Sequence, residues 1–205
     1  SSRGLGDVYK IQERVNQLIN WNINFIHGDI LNKELINKHC EEADIVHHLA
    51  GITKVPKVKS ESNDQEDKEI KHIAEEGTQN ILDAISDKCK IIMPSTHVVY
   101  EGITQVKKDI LEEEPTSPIL SYAKSKDYNE KQLKNSGKNY VILRLGSVYG
   151  YSTDTMRIDI MPNLFSKIAS QNGVLKLFSG GKQIKSLVPL IDVARCFKFI
   201  EERED

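Results

Sequence analysis

At 205 residues, with 39% hydrophobic and 28% charged side chains, the chain has room for one ordinary α/β domain and a small appendage. Its net charge of −2, with acidic and basic residues interspersed, gives no broad basic footprint for nucleic acid, and no apolar run approaches the roughly 20 residues of a membrane span. Cys40, Cys89 and Cys196 are solitary and odd in number, which speaks against a disulfide framework or structural zinc; with a polar start that is no signal peptide, the expected location is the cytoplasm.

In chain order, Val8 to Leu18 carries a helical pattern, and the Gly4-Leu-Gly6 ahead of it follows nothing apolar, so it is no phosphate loop. Asn24 to His27 reads as a strand, Lys33 to Glu42 as a helix and Ile45 to Leu49 as a second strand. Lys54 to Lys59 and Ser60 to Asp67 read as solvated loop before a helix over Glu66 to Ile85. Lys90 to Met93 is a strand, Ser117-Pro118 ends a loop, Tyr122 to Ser136 is a helix and Tyr140 to Leu145 a strand. Beyond Gly150 the pattern is irregular, with a helix within Met156 to Ala169, a strand over Leu175 to Phe178 and a last helix from Asp192.

Strands alternating with helices predict βαβ units and a Rossmann-like, doubly wound parallel sheet, with ligands at the carboxyl ends of the strands. No GxGxxG or GxxGxxG loop occurs between a strand and a helix, so the fold is expected to be partial, lacking the first strand and its glycine-rich turn, as a piece of a longer protein would be. The expected division is 1–150 as a partial dinucleotide-binding domain and 151–205 as a small substrate-binding part, with 187–202 returning to the core.

The most informative pair is Tyr122 and Lys126, four apart and therefore on one face of a helix. A neighbouring ammonium favours phenolate over phenol and fits the tyrosine for general base work. Five further segments stand at strand ends in a fixed order: Gly28-Asp-Ile30, His48-Leu-Ala-Gly51, Ser95-Thr-His-Val-Val-Tyr100, Arg144-Leu-Gly-Ser-Val-Tyr-Gly150 and Leu187-Val-Pro-Leu-Ile-Asp192. Together they resemble the extended short-chain dehydrogenase/reductase family, and within it the NAD-dependent epimerase/dehydratase group that acts on nucleotide sugars, over about residues 20 to 202.

The resemblance implies that Tyr122 is the acid/base, that Lys126 lowers its pKa and holds the nicotinamide ribose, and that the Thr96 hydroxyl bonds the reacting sugar oxygen. A strand-end threonine also serves backbone groups. Asp29 and Ile30 match the pair that meets the adenine, although an Asp after a strand is equally a helix cap. Leu49, Ala50 and Gly51 match the segment that lets the backbone approach the cofactor. His97 and Val98 stand where the family's dehydratases commonly carry Asp and Glu, which disfavours dehydration by that route; His97 is read as a substrate contact or a packing residue. Ser147 and Lys185 occupy positions that hold the substrate's phosphates, each in place of the usual Asn or Arg. His47 and His48 are read as structural, and no metal is assigned.

The expected function is an NAD-dependent epimerase of a nucleotide sugar, working as a homodimer. NADP is not excluded, because Arg3 could belong to the region that selects it. The alternatives are an NADPH-linked 4-keto-sugar reductase, suggested by the extra Glu101 between Tyr100 and Gly102, or a noncatalytic cofactor sensor.

Overall fold

A computed structural model describes residues 5–53, 64–105, 107–152 and 156–203. In chain order its elements are α1 (Leu5–Asn20), α2 (Lys33–Cys40), β1 (Ile45–His47), α3 (Asp64–Ala84), β2 (Lys90–Thr96), α4 (Ser121–Asn135), β3 (Asn139–Leu145), β4 (Ser147–Tyr149), α5 (Met161–Ser170), β5 (Leu187–Pro189) and α6 (Leu190–Glu201). They fall into two compact units, Gly28–Gly146 with Cys196–Asp205, and Ser1–His27 with Ser147–Arg195.

The first unit is built on a parallel sheet in the order β1-β2-β3. The central strand β2 is an apolar run because both of its faces are covered: Ile91, Ile92 and Met93 have no exposed surface. Ile81 and Leu82 of α3, Ile85 just past its end and Leu133 of α4 close over Cys89, Ile91 and Met93, with Ile36, Val46 and Ile142 at the margin. Pro94 is tolerated in this central strand for a reason of parity. Ile92 turns its carbonyl toward β1, where it accepts from the His48 N–H at 2.9 Å, and Pro94 points the same way just past the end of β1. Its missing N–H costs no ladder bond, and its carbonyl is left for a side chain.

The other end of the sheet is closed by the last residues of the chain. Lys90, only 6% exposed, sends its ammonium to the carbonyls of Ile200, at 3.1 Å, and Arg203. His47 lies 2.6 Å from Glu201 and meets the Phe197 ring edge-on at 5.3 Å. The second unit holds α1, α5 and a two-stranded parallel sheet in which Ser147, Val148 and Tyr149 pair with Leu187, Val188 and Pro189.

Two expected strands are corrected. Asn24 to His27 is irregular: no described strand pairs with it, and Phe25 and Ile26 are 42% and 43% exposed. Leu175 to Phe178 is also no strand: no described strand pairs with it, and Phe178 opens a 3-10 turn over Phe178–Gly181, where Gly180 and Gly181 take left-handed φ values of 66° and 71°. Helix α5 starts later than expected because Pro162, in its first turn, has no N–H to return to an earlier carbonyl. Helix α3 starts at Asp64, two residues before the expected Glu66, and Asp64, Glu66 and Asp67 in its first turn complement the helix dipole. Residues 54–63, including the basic run from Lys54, and Arg3 lie outside the described residues.

Leu133 is fully buried between α4 and β2. Leu133→Ala is expected to destabilise the fold by about 3 kcal/mol through lost transfer energy and a residual cavity, measured by urea unfolding.

Candidate active site

The carboxyl end of β2 and the first half of α4 are bound together at successive points. Thr96, 8% exposed, ends the strand, and its hydroxyl oxygen accepts from the Val98 N–H at 3.3 Å, opening a 3-10 turn over His97–Tyr100. The His97 Nδ1 donates to the Leu145 carbonyl at 3.0 Å, which ties the turn to the end of β3 and leaves Nε2 as the ring's acceptor in the neutral form. Ser117 then runs alongside, its N–H donating to Val99 at 2.7 Å and its carbonyl accepting from Gly102 at 2.8 Å. A Cβ on residue 102 would stand 2.4 Å from that carbonyl oxygen, so this approach requires glycine.

Helix α4 turns a mostly polar face inward: Ser125, Lys126, Asp127, Asn129 and Glu130 are buried beside Ala123 and Leu133. The Lys126 ammonium reaches under the end of β2 and donates to the Pro94 carbonyl at 3.0 Å, two residues before Thr96. Burial pushes its pKa below the usual lysine value. Tyr122 is half-buried one turn earlier on the same face, its carbonyl accepting from the Ser125 hydroxyl at 2.8 Å, while Lys124 is exposed.

One turn beyond Lys126 lies Glu130, 1% exposed. It accepts from Ser95 Oγ at 2.5 Å and from Arg144 Nε and Nη2 at 3.0 and 2.6 Å. Burial drives its pKa upward, but the hydrogen bonds of Arg144 and Ser95 and the charges of Arg144 and Lys134 outweigh it, and the carboxyl is held below the ordinary range. Arg144 also donates to the Tyr100 hydroxyl, to the Glu112 carbonyl at 2.9 Å, and lies 5.1 Å from the Tyr100 ring. Sequence reasoning did not single out Glu130. Its only signal there was the helical spacing from Lys126.

His48, 3% exposed, bonds Thr78 Oγ1 through Nε2 at 2.7 Å, and its Nδ1 has no partner among the described residues. Burial, and then the charge of Lys126, lower its pKa to about 4, so the ring is neutral at pH 7.

Of the residues read as meeting the cofactor, Asp29 and Ile30 lie in the loop before α2, and Leu49, Ala50 and Gly51 follow β1. Asp29 is exposed and accepts the Leu31 N–H on Oδ1 at 2.9 Å, while Asn32, not Asp29, caps α2 through the Leu35 N–H. Ile30 lies against α3, where a Cβ on Gly77 would stand 2.8 Å from its Cγ2. After β1, Leu49 is 59% exposed, Ala50 is exposed, and nothing among the described residues lies within 4 Å of where a Cβ on Gly51 would be. Ser147 and Lys185 belong to the other unit, near one end of its small sheet: Ser147 donates to the Ser186 carbonyl at 2.8 Å, and Lys185 is exposed.

A parallel sheet in the order β1-β2-β3 with helices packed on it defines a Rossmann-like α/β fold. The family model described as "NAD dependent epimerase/dehydratase family" matches residues 3–205, and the chain belongs to that family. Its fold is shared with UDP-glucuronic acid 4-epimerase from Bacillus cereus at a TM-score of 0.76 and 24% identity, covering 95% of this chain and 60% of that one. UDP-glucose 4-epimerase from Thermotoga maritima matches at 0.71 and 22%, covering 88% and 60%. A dTDP-glucose 4,6-dehydratase from Streptomyces venezuelae matches at 0.66 and 22%, covering 84% and 52%. The chain thus spans about 60% of the length of the first two.

Two outcomes are expected from this geometry. Because His48 is held neutral while an unfolded histidine titrates near 6.5, its contribution is complete above pH 6.5 and is lost as the pH falls toward 4, by roughly 2–3 kcal/mol; His48→Gln is expected to flatten that limb in urea unfolding across pH 7 to 4.5. Glu130→Gln leaves the Arg144 guanidinium without its counter-ion and is expected to cost about 3–5 kcal/mol in the same measurement at pH 7.

Proposed function

We propose that the protein is a nucleotide-sugar epimerase in which Tyr122 is the acid/base, Lys126 its electrostatic partner and Thr96 the donor to the reacting sugar oxygen. The observation that carries this reading is the Lys126 ammonium, buried at the carboxyl end of β2, two residues from Thr96 along the strand and one helical turn from Tyr122.

The residues present suit the cofactor for which the family is described. Lys126 gives one of its three N–H donors to Pro94, Asp29 gives one of its carboxylate oxygens to Leu31, and the space beside Gly51 is set by no packing need of the protein. On this reading Lys126 and Tyr122 hold the nicotinamide ribose, Asp29 and Ile30 the adenine, and Leu49, Ala50 and Gly51 the diphosphate side. Bound NAD would supply the hydride acceptor and donor. Tyr122 takes the proton of a sugar hydroxyl and later returns it. Thr96 already spends its oxygen on the Val98 N–H, which aims its own proton away toward the sugar oxygen where negative charge develops. Ser147 and Lys185 would hold the substrate's phosphates, and two copies of the chain would pair as a homodimer in the cytoplasm.

Epimerisation is favoured over dehydration because the two positions after Thr96 are His97 and Val98. The His97 Nδ1 is committed to Leu145, and valine transfers no proton. In the complete natural protein, with NAD and a panel of UDP- and dTDP-sugars, Tyr122→Phe is expected to lower kcat by at least about 100-fold while leaving NAD binding within a few-fold. Unchanged turnover in that variant would remove Tyr122 from the chemistry.

A further inference from the structure

On the reading of Tyr122 as the acid/base, we infer that Glu101 is a positioning residue that sets the start of helix α4, and with it Tyr122, against the strand end that carries Thr96. Helix α4 lacks the usual means of securing its own beginning. Its cap position is Leu120, which has no side-chain oxygen, and its first turn has no acidic residue. The N–H groups of Ile119 and Leu120 are instead taken by a single carboxylate oxygen, Glu101 Oε1, at 2.8 and 2.6 Å. A carboxylate at a helix N-terminus answers both the free donors and the positive end of the helix dipole.

What makes this contact more than a cap is where Glu101 stands. Its own backbone is fixed by the turn that begins at Thr96, for its N–H donates to the Val98 carbonyl at 3.1 Å while the Val98 N–H is held by the Thr96 hydroxyl. A short path therefore runs from the Thr96 hydroxyl through Val98 to the Glu101 backbone, and from its carboxylate to Leu120, two residues before Tyr122. The bonds from the Gly102 N–H to the Ser117 carbonyl and from the Ser117 N–H to the Val99 carbonyl hold the same two segments together. Lys126 is placed independently, by Pro94 further down the helix. Removing the Glu101 carboxylate thus frees the tyrosine end of the helix while the lysine stays anchored.

In the complete protein, Glu101→Ala is expected to lower kcat by about 10-fold or more with a change in sugar KM of less than about 3-fold, and to move the acidic limb of the kcat/KM profile upward. The direction matters, because loss of a negative charge alone would lower the phenol's pKa, whereas loss of alignment with Lys126 raises it. Glu101→Gln keeps the accepting oxygen and is expected to restore kcat to within about 3-fold of wild type. A variant of Glu101→Ala with wild-type kcat and an unmoved limb overturns the inference, even if its melting temperature falls, and so does a Glu101→Gln as impaired as the alanine variant. If the wild-type protein turns over none of the sugars offered, the epimerase reading fails by itself. The alignment is then decided by titrating the 13Cζ resonance of Tyr122, assigned with Tyr122→Phe: an upward shift in Glu101→Ala supports the positioning role, and an unchanged titration rejects it.

Discussion

The interaction on which the rest of the larger unit depends is the ion pair buried between Glu130 and Arg144. The carboxylate is 1% exposed and receives two nitrogens of the guanidinium as well as the Ser95 hydroxyl. Such a pair is a poor source of net stability, since desolvating both charges costs about as much as their attraction returns. Its worth in this chain is positional. Glu130 lies on α4, Ser95 on β2 and Arg144 on β3, so the three-way bond fixes which turn of the helix stands over which rung of the sheet. With Glu130 in place, Lys126 one turn earlier falls beneath Pro94, and Tyr122 one turn earlier again lies near the strand end.

The same logic explains why α4 can bury so much polarity. Asp127 accepts from Thr116 at 2.6 Å and Lys131 at 2.6 Å, and Asn129 donates to the Ala74 carbonyl at 2.8 Å and to Gln132 at 2.9 Å. Lys126, Asp127, Asn129 and Glu130 each have a partner supplied by another segment, so the helix is located by many directional bonds rather than by an apolar stripe. A core made only of Leu133 and its neighbours would tolerate sliding by a fraction of a turn. This arrangement does not. His48, whose Nδ1 has no partner among the described residues, sits within the field of Lys126, and its neutrality avoids placing a second positive charge there.

Much of this was legible in the sequence, for identifiable reasons. Parallel strands covered on both faces announce themselves as apolar runs, so β3 is legible to within one residue and β2 from its true start, though it runs on through Pro94 to Thr96, and the spacing of Tyr122 and Lys126 survives any reading of the helix they share. What stayed hidden depends on partners distant along the chain. Asn24 to His27 has the composition of a strand, but a strand exists only where another lies beside it. Glu130 and Arg144 look like surface charges until the fold buries them against each other. Glu101 drew notice as an extra residue between Tyr100 and Gly102, yet nothing local reveals that its carboxylate is spent eighteen residues later. Pro94 reads as a strand breaker, and only the early end of β1 shows why it is harmless.

Lys90 carries a consequence of its own. The ammonium of a lysine only 6% exposed, which donates to the Ile200 carbonyl of α6 and the Arg203 carbonyl just beyond it, cannot remain where it is if that helix end peels away. Fraying of the terminal turn, ordinarily almost free, would strand a charge at the foot of the central strand. The tail of this helix is therefore locked into the cooperative unit of the sheet, and its amides exchange with solvent only when the strand beneath them opens as well.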